Sequence, residues 1–269
     1  MRYAVLADVH ANLEALDAVL AAASAAGADR LVCAGDLVGY HADPDACVAR
    51  LREAGAVCVA GNHDRVAAGL GEPRDFGAVA RRAALWTRAH LSPSSRAFLA
   101  GLPVHRVVDG RFLLVHGALH PAPNADLHLS SHARAARSIQ ALEDGPWGVR
   151  LAFFGHTHRP VVHEARGRSL STTGPRPPEG SMAEQSVQLG GAWYLINPGS
   201  VGQPRDGDPR ASFLLFDAEP VRAGGAGGAV SFRRVPFDRE ACLAKADRAG
   251  LRAAPGPLAR LRAALERFS

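Results

Sequence analysis

The chain is predicted to adopt an α/β fold, and three observations predict it. Short apolar runs that read as buried strands alternate with amphipathic stretches at helical spacing, the pattern of strand–helix–strand units with parallel strands and right-handed crossovers. Five of the runs end in residues able to bind a metal: Asp8-Val9-His10, Gly35-Asp36, Gly61-Asn62-His63-Asp64, Val115-His116-Gly117 and Gly155-His156-Thr157-His158. Open α/β sheets collect ligands at the carboxyl ends of their strands, so five such ends predict one shared pocket. Lastly, 269 residues of which 47% are hydrophobic supply a core for one large α/β domain or two small ones.

The elements follow in order. Tyr3 to Ala7 reads as a first strand. A helix is predicted from about Asn12 to Ala26, with Asn12 as N-cap, Leu13, Leu16, Val19 and Leu20 as its apolar stripe and Gly27 as its stop. Arg30 to Ala34 is a second strand, and Leu37 to Asp43 a loop. A helix over Pro44 to Glu53 places proline where a helix tolerates it, and Ala56 to Ala60 is a third strand. Phe76 to His90 and Pro93 to Ala100 read as helices, and Val104 to Val108 with Phe112 to His116 as a hairpin turning at Asp109-Gly110. A His-rich loop then leads to a helix over Ala133 to Glu143 and to strands over Leu151 to Phe154 and Pro160 to Glu164. From Arg166 to Gly190 the chain is polar and rich in Gly, Pro and Ser, which predicts a mobile insertion or lid. Strands resume at Trp193 to Ile196, Ala211 to Phe216 and Ala229 to Val235. From Arg239 two amphipathic helices are predicted, parted near Pro255-Gly256. With no internal repeat and no linker, residues 1–269 read as one domain, a core to about 217 and an appendage over about 218–269.

The net charge is +5, and Lys245 is the single lysine beside many arginines. A mildly basic chain accommodates anionic substrates, phosphates included, but its arginines form no block that would mark a nucleic-acid footprint. Cys33, Cys47, Cys58 and Cys242 lack metal-type pairing and read as reduced core thiols of a cytoplasmic protein. Asp8, His10, Glu14 and Asp17 interrupt any signal-peptide core near the N-terminus, and no apolar run is long enough to cross a bilayer, so no membrane partner is expected. A homo-oligomer stays open.

Each cluster has a chemical use. Asp-x-His at a strand end brings two ligands together. A glycine before Asp36 lets the backbone approach a crowded centre, and the two oxygens of an aspartate can bridge two cations. Gly61-Asn62-His63-Asp64 offers an amide oxygen, an imidazole and a carboxylate, and His156-x-His158 two imidazoles. The set suffices for two cations roughly 3.5–4 Å apart, the arrangement used in phosphoester hydrolysis. Imidazole and carboxylate without thiolate suit Mn, Fe, Zn, Co or Ni.

In their order and spacing the five clusters resemble the signature of the calcineurin-like metallophosphoesterases, over roughly residues 3 to 202. The resemblance implies a four-layer α/β/β/α sandwich with mixed sheets and a dinuclear site at strand carboxyl ends. It implies one divalent cation on Asp8, His10, Asp36 and His158, and a second on Asp36, Asn62, His116 and His156, with manganese the first choice. His63 would face the substrate as general acid or phosphate binder, oriented by Asp64, while a hydroxide bridging the cations attacks phosphorus. The runs Asp8 to Leu13 and Gly35 to Tyr40 are similar to the bacterial branch related to diadenosine tetraphosphatases and serine/threonine phosphatases. Ala11 stands where that branch usually has glycine. Gly39-Tyr40 stands where protein phosphatases have Asp-Arg-Gly, so a phosphate-binding arginine is missing.

The preferred reading is a metal-dependent phosphoesterase for small phosphodiesters or nucleotides; a phosphomonoesterase or protein phosphatase is the alternative, and a non-catalytic scaffold the reading from another class. Candidate substrate contacts are Asn12, Tyr40 and Arg205, the last through its bidentate fork. His120, His128 and His132 follow a ligand strand and could line the cleft, whereas His41, His90, His105 and His163 lack such context. The loop from Asn197 to Gly202 reads equally as a closure over the site or as a tight turn. Trp86, Trp147 and Trp193 are expected in the core.

Overall fold

A computed structural model describes residues 1–174, 185–218 and 227–251. The chain opens with β1 (Arg2–Leu6), α1 (Leu13–Ala25), β2 (Arg30–Cys33), α2 (Pro44–Glu53) and β3 (Val57–Cys58). These strands are parallel, with Tyr3 opposite Arg30 and Val32 opposite Val57. Asn12 caps α1 as expected, its Oδ1 accepting from the Ala15 N–H at 3.0 Å. Three helices come next, α3 (Asn62–Ala68), α4 (Ala78–His90) and α5 (Pro93–Ala100), then the hairpin β4 (His105–Val108) and β5 (Phe112–Val115). The second half runs α6 (His132–Asp144), β6 (Leu151–Phe153), β7 (Val161–Arg166), β8 (Ser169–Thr173), β9 (Gln185–Leu189), β10 (Trp193–Asn197), β11 (Ala211–Ala218), β12 (Gly228–Val235) and α7 (Arg239–Arg248).

The strands form two six-stranded mixed sheets, ordered β3-β2-β1-β11-β12-β9 and β4-β5-β6-β10-β7-β8. Side chains of a strand alternate between faces, and here the alternation builds the layers. Tyr3 and Val5 of β1, Phe112 and Leu114 of β5 and Leu151 and Phe153 of β6 point into the seam between the sheets. Ala4 and Leu6 point the other way, onto Leu16 and Val19 of α1 and Val48 and Leu51 of α2. Leu113, Val115 and Ala152 likewise meet Ala135, Ile139 and Leu142 of α6. Helices, sheet, sheet and helix therefore stack as the expected four-layer sandwich. Trp86, Trp147 and Trp193 are part-buried against core clusters, and all four cysteines are free and buried.

The mixed pairing is as expected, and one expectation needs correction. Parallel pairing holds only within β1-β2-β3 and β5-β6-β10; the other strands pair antiparallel, β4-β5 and β7-β8 through short hairpins. The five clusters accordingly sit on two sheets, as the expected four-layer sandwich implies. The Arg166 to Gly190 segment is not an irregular lid where it is described. Ser169–Thr173 pairs with β7 across a turn at Gly167, and Gln185–Leu189 pairs with β12. An edge strand with four of five residues exposed has no apolar alternation to read, which hid β8. Residues 175–184, and the helix expected after Pro255, lie outside the described residues.

Tyr3, Phe112, Phe153 and Phe216 lock the seam, with Phe112 edge-on to Tyr3 and to Phe153 at 5.1 Å each. Phe112→Ala would open a cavity there and is expected to cost about 3–5 kcal/mol, read as a lower urea midpoint at unchanged m-value.

Candidate metal centre

All seven candidate ligands lie just beyond strand ends, six in turns and Asn62 at the start of a helix. Asp8 and His10 follow β1, Asp36 follows β2, and Asn62 opens α3 after β3. His116 follows β5, and His156 and His158 follow β6. None is more than 7% exposed, and Asp8, His10 and His116 are fully buried. Five of them adopt left-handed backbone: Asp8 (φ 54°), His10 (51°), Asp36 (53°), His156 (68°) and His158 (57°). Each such residue costs roughly 1–2 kcal/mol, and strain of this kind gathers at functional sites. The turns hold one another through backbone bonds: Asp8 N–H to Gly35 O, His10 N–H to Asp36 O and Ala11 N–H to Leu37 O, at 2.9–3.0 Å. Ala11 itself sits at φ 56°, a conformation that glycine, usual here in the resembling branch, adopts without strain. At Gly61 the demand is for space, because a Cβ there would overlap the Asp36 carboxylate.

The hydrogen bonds fix which imidazole nitrogens face inward. Nδ1 of His116 lies 2.7 Å from Ala34 O, Nδ1 of His158 2.7 Å from Gln203 O and Nδ1 of His10 3.2 Å from Val38 O. A carbonyl only accepts, so each Nδ1 carries the proton and a neutral ring turns the Nε2 lone pair into the centre. His10 Nε2 and His158 Nε2 then face each other at 3.0 Å with no proton between them. Two opposed lone pairs repel, and a cation beside them removes the repulsion. Asp8 Oδ1 lies 3.4 Å from His158 Nε2, and Asp36 Oδ2 lies 3.6 Å from His10 Nε2 and 3.3 Å from His116 Nε2. Asn62 Oδ1 is 3.2 Å from His116 Nε2, and His156 Nε2 is buried with no partner among the described residues. Donor atoms cluster in three overlapping groups, Asp8-His10-His158, His10-Asp36-His63 and Asp36-His116-His156. This donor set fits divalent cations, with Asp36 common to two groups.

Charge tells the same story. Burial pushes His10 and His156 well below the usual imidazole range and His158 down to about 3, so these rings are neutral donors. Burial alone would raise the Asp36 carboxyl, but the imidazoles around it, His116 first, hold it well below the usual range. Burial also disfavours the His116 imidazolium, yet the adjacent Asp36 charge overcomes this and lifts it to about 10. Asp8 rises to about 7 through burial, which the His116 charge only partly offsets. Without a cation, the centre carries a proton where a metal would bind.

Beside this cluster lies a cleft of about 220 Å³. His63 forms its wall, its ring packed between Tyr40 (4.8 Å) and Phe76 (4.6 Å), with its backbone N–H donating to Asp36 Oδ1 at 2.8 Å and its Nδ1 unpartnered among the described residues. Arg205 lines the cleft too, resting 5.7 Å above the Tyr40 ring and donating to the Tyr40 hydroxyl at 3.2 Å. The cleft thus holds a guanidinium although the 39–40 loop lacks one.

Two candidate roles change. Asn12 does not line the cleft: its Oδ1 caps α1 and its Nδ2 donates to Gly202 O. Asp64 does not hydrogen-bond His63; its carboxylate accepts from Gly61 N–H at 2.9 Å and Val38 N–H at 3.1 Å, tying two ligand loops together. Of the three loop histidines, His128 reaches the cleft, its ring 3.6 Å from that of His156, while His120 and His132 do not. Phe76 was missed because it reads as the start of a helix. The Asn197 to Gly202 loop acts as a brace: Gly202 N–H and Ser200 Oγ both donate to Asp8 O, and Asn197 Nδ2 to Gly155 O.

Comparison with known proteins places this geometry. Residues 1–220 match the calcineurin-like phosphoesterase superfamily domain. The uncharacterised protein MJ0912 of Methanocaldococcus jannaschii is 34% identical over 222 residues, 81% of this chain and 84% of its own. A metallophosphoesterase from Sphaerobacter thermophilus superposes with a TM-score of 0.72 at 33% identity, covering 94% of this chain and 95% of its own. The hypothetical protein PH1004 of Pyrococcus horikoshii shares the fold, with a TM-score of 0.68 at 18% identity over 93% of this chain and 94% of its own.

A cation entering through His116 Nε2 must displace the proton held there with a pKa of about 10. Calorimetric titration of the metal-free protein with Mn²⁺ near neutral pH, repeated in buffers of different ionisation enthalpy, should show release of about one proton or more. Apparent affinity should rise as pH increases toward 10, whereas a site whose ligands are already free would show no such rise. A heat independent of buffer would contradict this.

Proposed function

The chain belongs to the calcineurin-like phosphoesterase superfamily, and from that premise we propose that it hydrolyses small phosphodiesters or nucleotides with two divalent cations, manganese first among them. At the coarser level it is a metal-dependent phosphoester hydrolase. The observation that carries the finer reading is Asp36: fully charged, nearly inaccessible, and shared between donor groups contributed by both sheets. In this reading Asp8, His10, Asp36 and His158 hold one cation, and Asp36, Asn62, His116 and His156 the other. When bound, the cations supply Lewis-acid stabilisation of charge on the phosphoryl group and a nucleophile at neutral pH.

The protein's own groups do the rest. His63, pushed down to about 4 by burial, is neutral, so it acts first as an N–H donor to a phosphoryl or leaving oxygen. A bound phosphate would draw that pKa back up and let the ring deliver a proton. Arg205 offers a fork to a second phosphoryl oxygen, held over the cleft by Tyr40. Phe76 and Tyr40 exclude water on either side of His63. A cleft this narrow suits a small ester rather than the surface of a folded protein, which supports small phosphodiesters over protein phosphatase activity. The reading needs no membrane, and among the described residues no helix is long and apolar enough to cross one.

Chelator-treated protein should not hydrolyse bis-p-nitrophenyl phosphate, and Mn²⁺ should restore turnover. A panel of cyclic nucleotides, dinucleoside polyphosphates, nucleoside monophosphates and phosphopeptides would then rank the substrates. Silence across the panel with Mn²⁺, Fe²⁺, Zn²⁺, Co²⁺ and Ni²⁺ would defeat the reading and favour a scaffold. His63→Ala should retain its metals and lose on the order of 10²–10³ in kcat, the usual cost of one preorganised donor. Near-normal kcat on an ester with a poor leaving group would remove His63 from the mechanism.

A further inference from the structure

The C-terminal helix α7 reaches back to the loop that carries Tyr40, although it lies beyond residues 1–220, the span that matches the family domain. We infer that Lys245 on this helix is a positioning residue: it holds the 37–43 loop so that Tyr40 stays against His10, His63 and Arg205. In this role Lys245 serves the phosphoester hydrolysis proposed above and rests on that reading.

Tyr40 stands where the cleft meets the candidate metal centre. Its ring lies 4.7 Å from that of His10, edge to face, and 4.8 Å from that of His63, and its hydroxyl accepts from Arg205. Yet its backbone is left-handed, at φ 59°. An L-residue keeps that conformation only where its surroundings enforce it. Gly39 beside it leaves no slack, because a Cβ there would overlap the His63 ring. A small displacement of the loop would therefore disturb Tyr40, the support of Arg205 and the wall of His63 together.

Two sets of contacts hold the loop from behind. The first is polar. Lys245 Nζ lies 2.9 Å from Asp43 Oδ2, at the end of the loop, and 2.6 Å from Glu14 Oε1, in the first turn of α1. It thus ties together the connections that leave β1 and β2 beyond their ligands. The Asp43 N–H donates to Ala11 O at 3.2 Å and His41 Nδ1 to His10 O at 2.9 Å, so the loop is seated on the His10 turn. Among the described residues no other cation pairs with Glu14 or Asp43. Without the ammonium, two part-buried carboxylates would repel across the gap it fills. The second set is apolar. Ala83 of α4, Ala246 and Leu251 form a small buried cluster, against which Tyr40, Ala42, Trp86 and Ala249 pack. Arg82 Nη2 donates to Leu251 O at 2.6 Å and fixes the chain there.

Lys245→Met keeps the aliphatic stem and removes the charge. In the Mn²⁺-loaded protein it should leave metal content unchanged and lower kcat/KM for bis-p-nitrophenyl phosphate about tenfold or more, since a misplacement of about 1 Å can cost about 10². Lys245→Arg should restore most of that loss. Tyr40→Ala should cost at least as much, and adding Lys245→Met to it should cost little further, because the lysine acts through Tyr40. Leu251→Ala, which weakens the apolar contact instead, should behave like Lys245→Met. A second readout needs neither metal nor turnover. With ¹³Cζ-labelled tyrosine the metal-free protein gives signals for Tyr3, Tyr40 and Tyr194, the second assigned through Tyr40→Phe. Lys245→Met should move the Tyr40 signal alone; movement of all three would mark general loosening and overturn the inference, as would loss of metal. If the ester is hydrolysed and Lys245→Met changes neither kcat/KM nor the Tyr40 signal, or costs the same with and without Tyr40, the positioning role is overturned and the hydrolase reading stands. If no ester is hydrolysed with any metal but the Tyr40 signal moves alone, the hold of α7 on Tyr40 stands and the hydrolase reading falls.

Discussion

Asp36 is a carboxylate that the fold buries almost completely and keeps ionised. Moving such a charge out of water costs several kcal/mol even after the surroundings relax, so its neighbours must be chosen to answer it. The His63 N–H donates to one oxygen, and the His116 imidazole stands 3.3 Å from the other. His116 holds a proton to about 10 chiefly for this reason, with help from the Asp8 charge and the Ala34 carbonyl, while burial works against it. The metal-free centre is thus a place where one proton does what a divalent cation would do better. The same charge explains Gly61, where any side chain would collide with the carboxylate.

The turns that carry the ligands are strained, and the strain has a geometric purpose. A strand end that continued extended would throw alternate side chains to opposite faces. Left-handed turns at Asp8, His10, Asp36, His156 and His158 bring ligands from successive strands back toward one point. At roughly 1–2 kcal/mol apiece these conformations would not persist in a loose loop. They persist because each turn is bonded to the next and because the 197–202 loop grips Asp8 and Gly155 from behind. Ala11 shows that the chain accepts such strain even where glycine would relieve it.

How much of this was legible in the sequence depends on what kind of fact was sought. The ligands could be read because each type is rare at the end of an apolar run and all five runs shared the feature. The helix start at Asn12 could be read because capping is local chemistry. The split between two sheets could not be read from the runs themselves, because parallel strands of different sheets look alike until their neighbours are known. The resemblance assigns Asp64 to orienting His63, and Asn12 is expected among the substrate contacts, whereas their hydrogen bonds run to backbone groups that a motif does not reveal. Phe76 carries no motif at all; its place beside His63 comes from the chain between α3 and α4 folding back over the cleft.

The two sheets contribute different chemistry, and this links the centre to the core beneath it. β1, β2 and β3 deliver both carboxylates, the His10 imidazole and the amide of Asn62, and β5 and β6 deliver only imidazoles. Neither half could hold a cation as the pair could: one brings the negative charge, the other imidazoles without a carboxylate. The seam packed by Tyr3, Phe112, Phe153 and Phe216 is therefore what turns two incomplete donor sets into one. The linkage runs in both directions. A cation that binds only the assembled seam adds its binding free energy to folding, and in doing so it offsets the left-handed turns and the buried charge that the metal-free protein must sustain alone. Strain, buried charge and opposed lone pairs would each be a defect in a structure without a ligand. Together, at one point between two sheets, they describe a site shaped for cations.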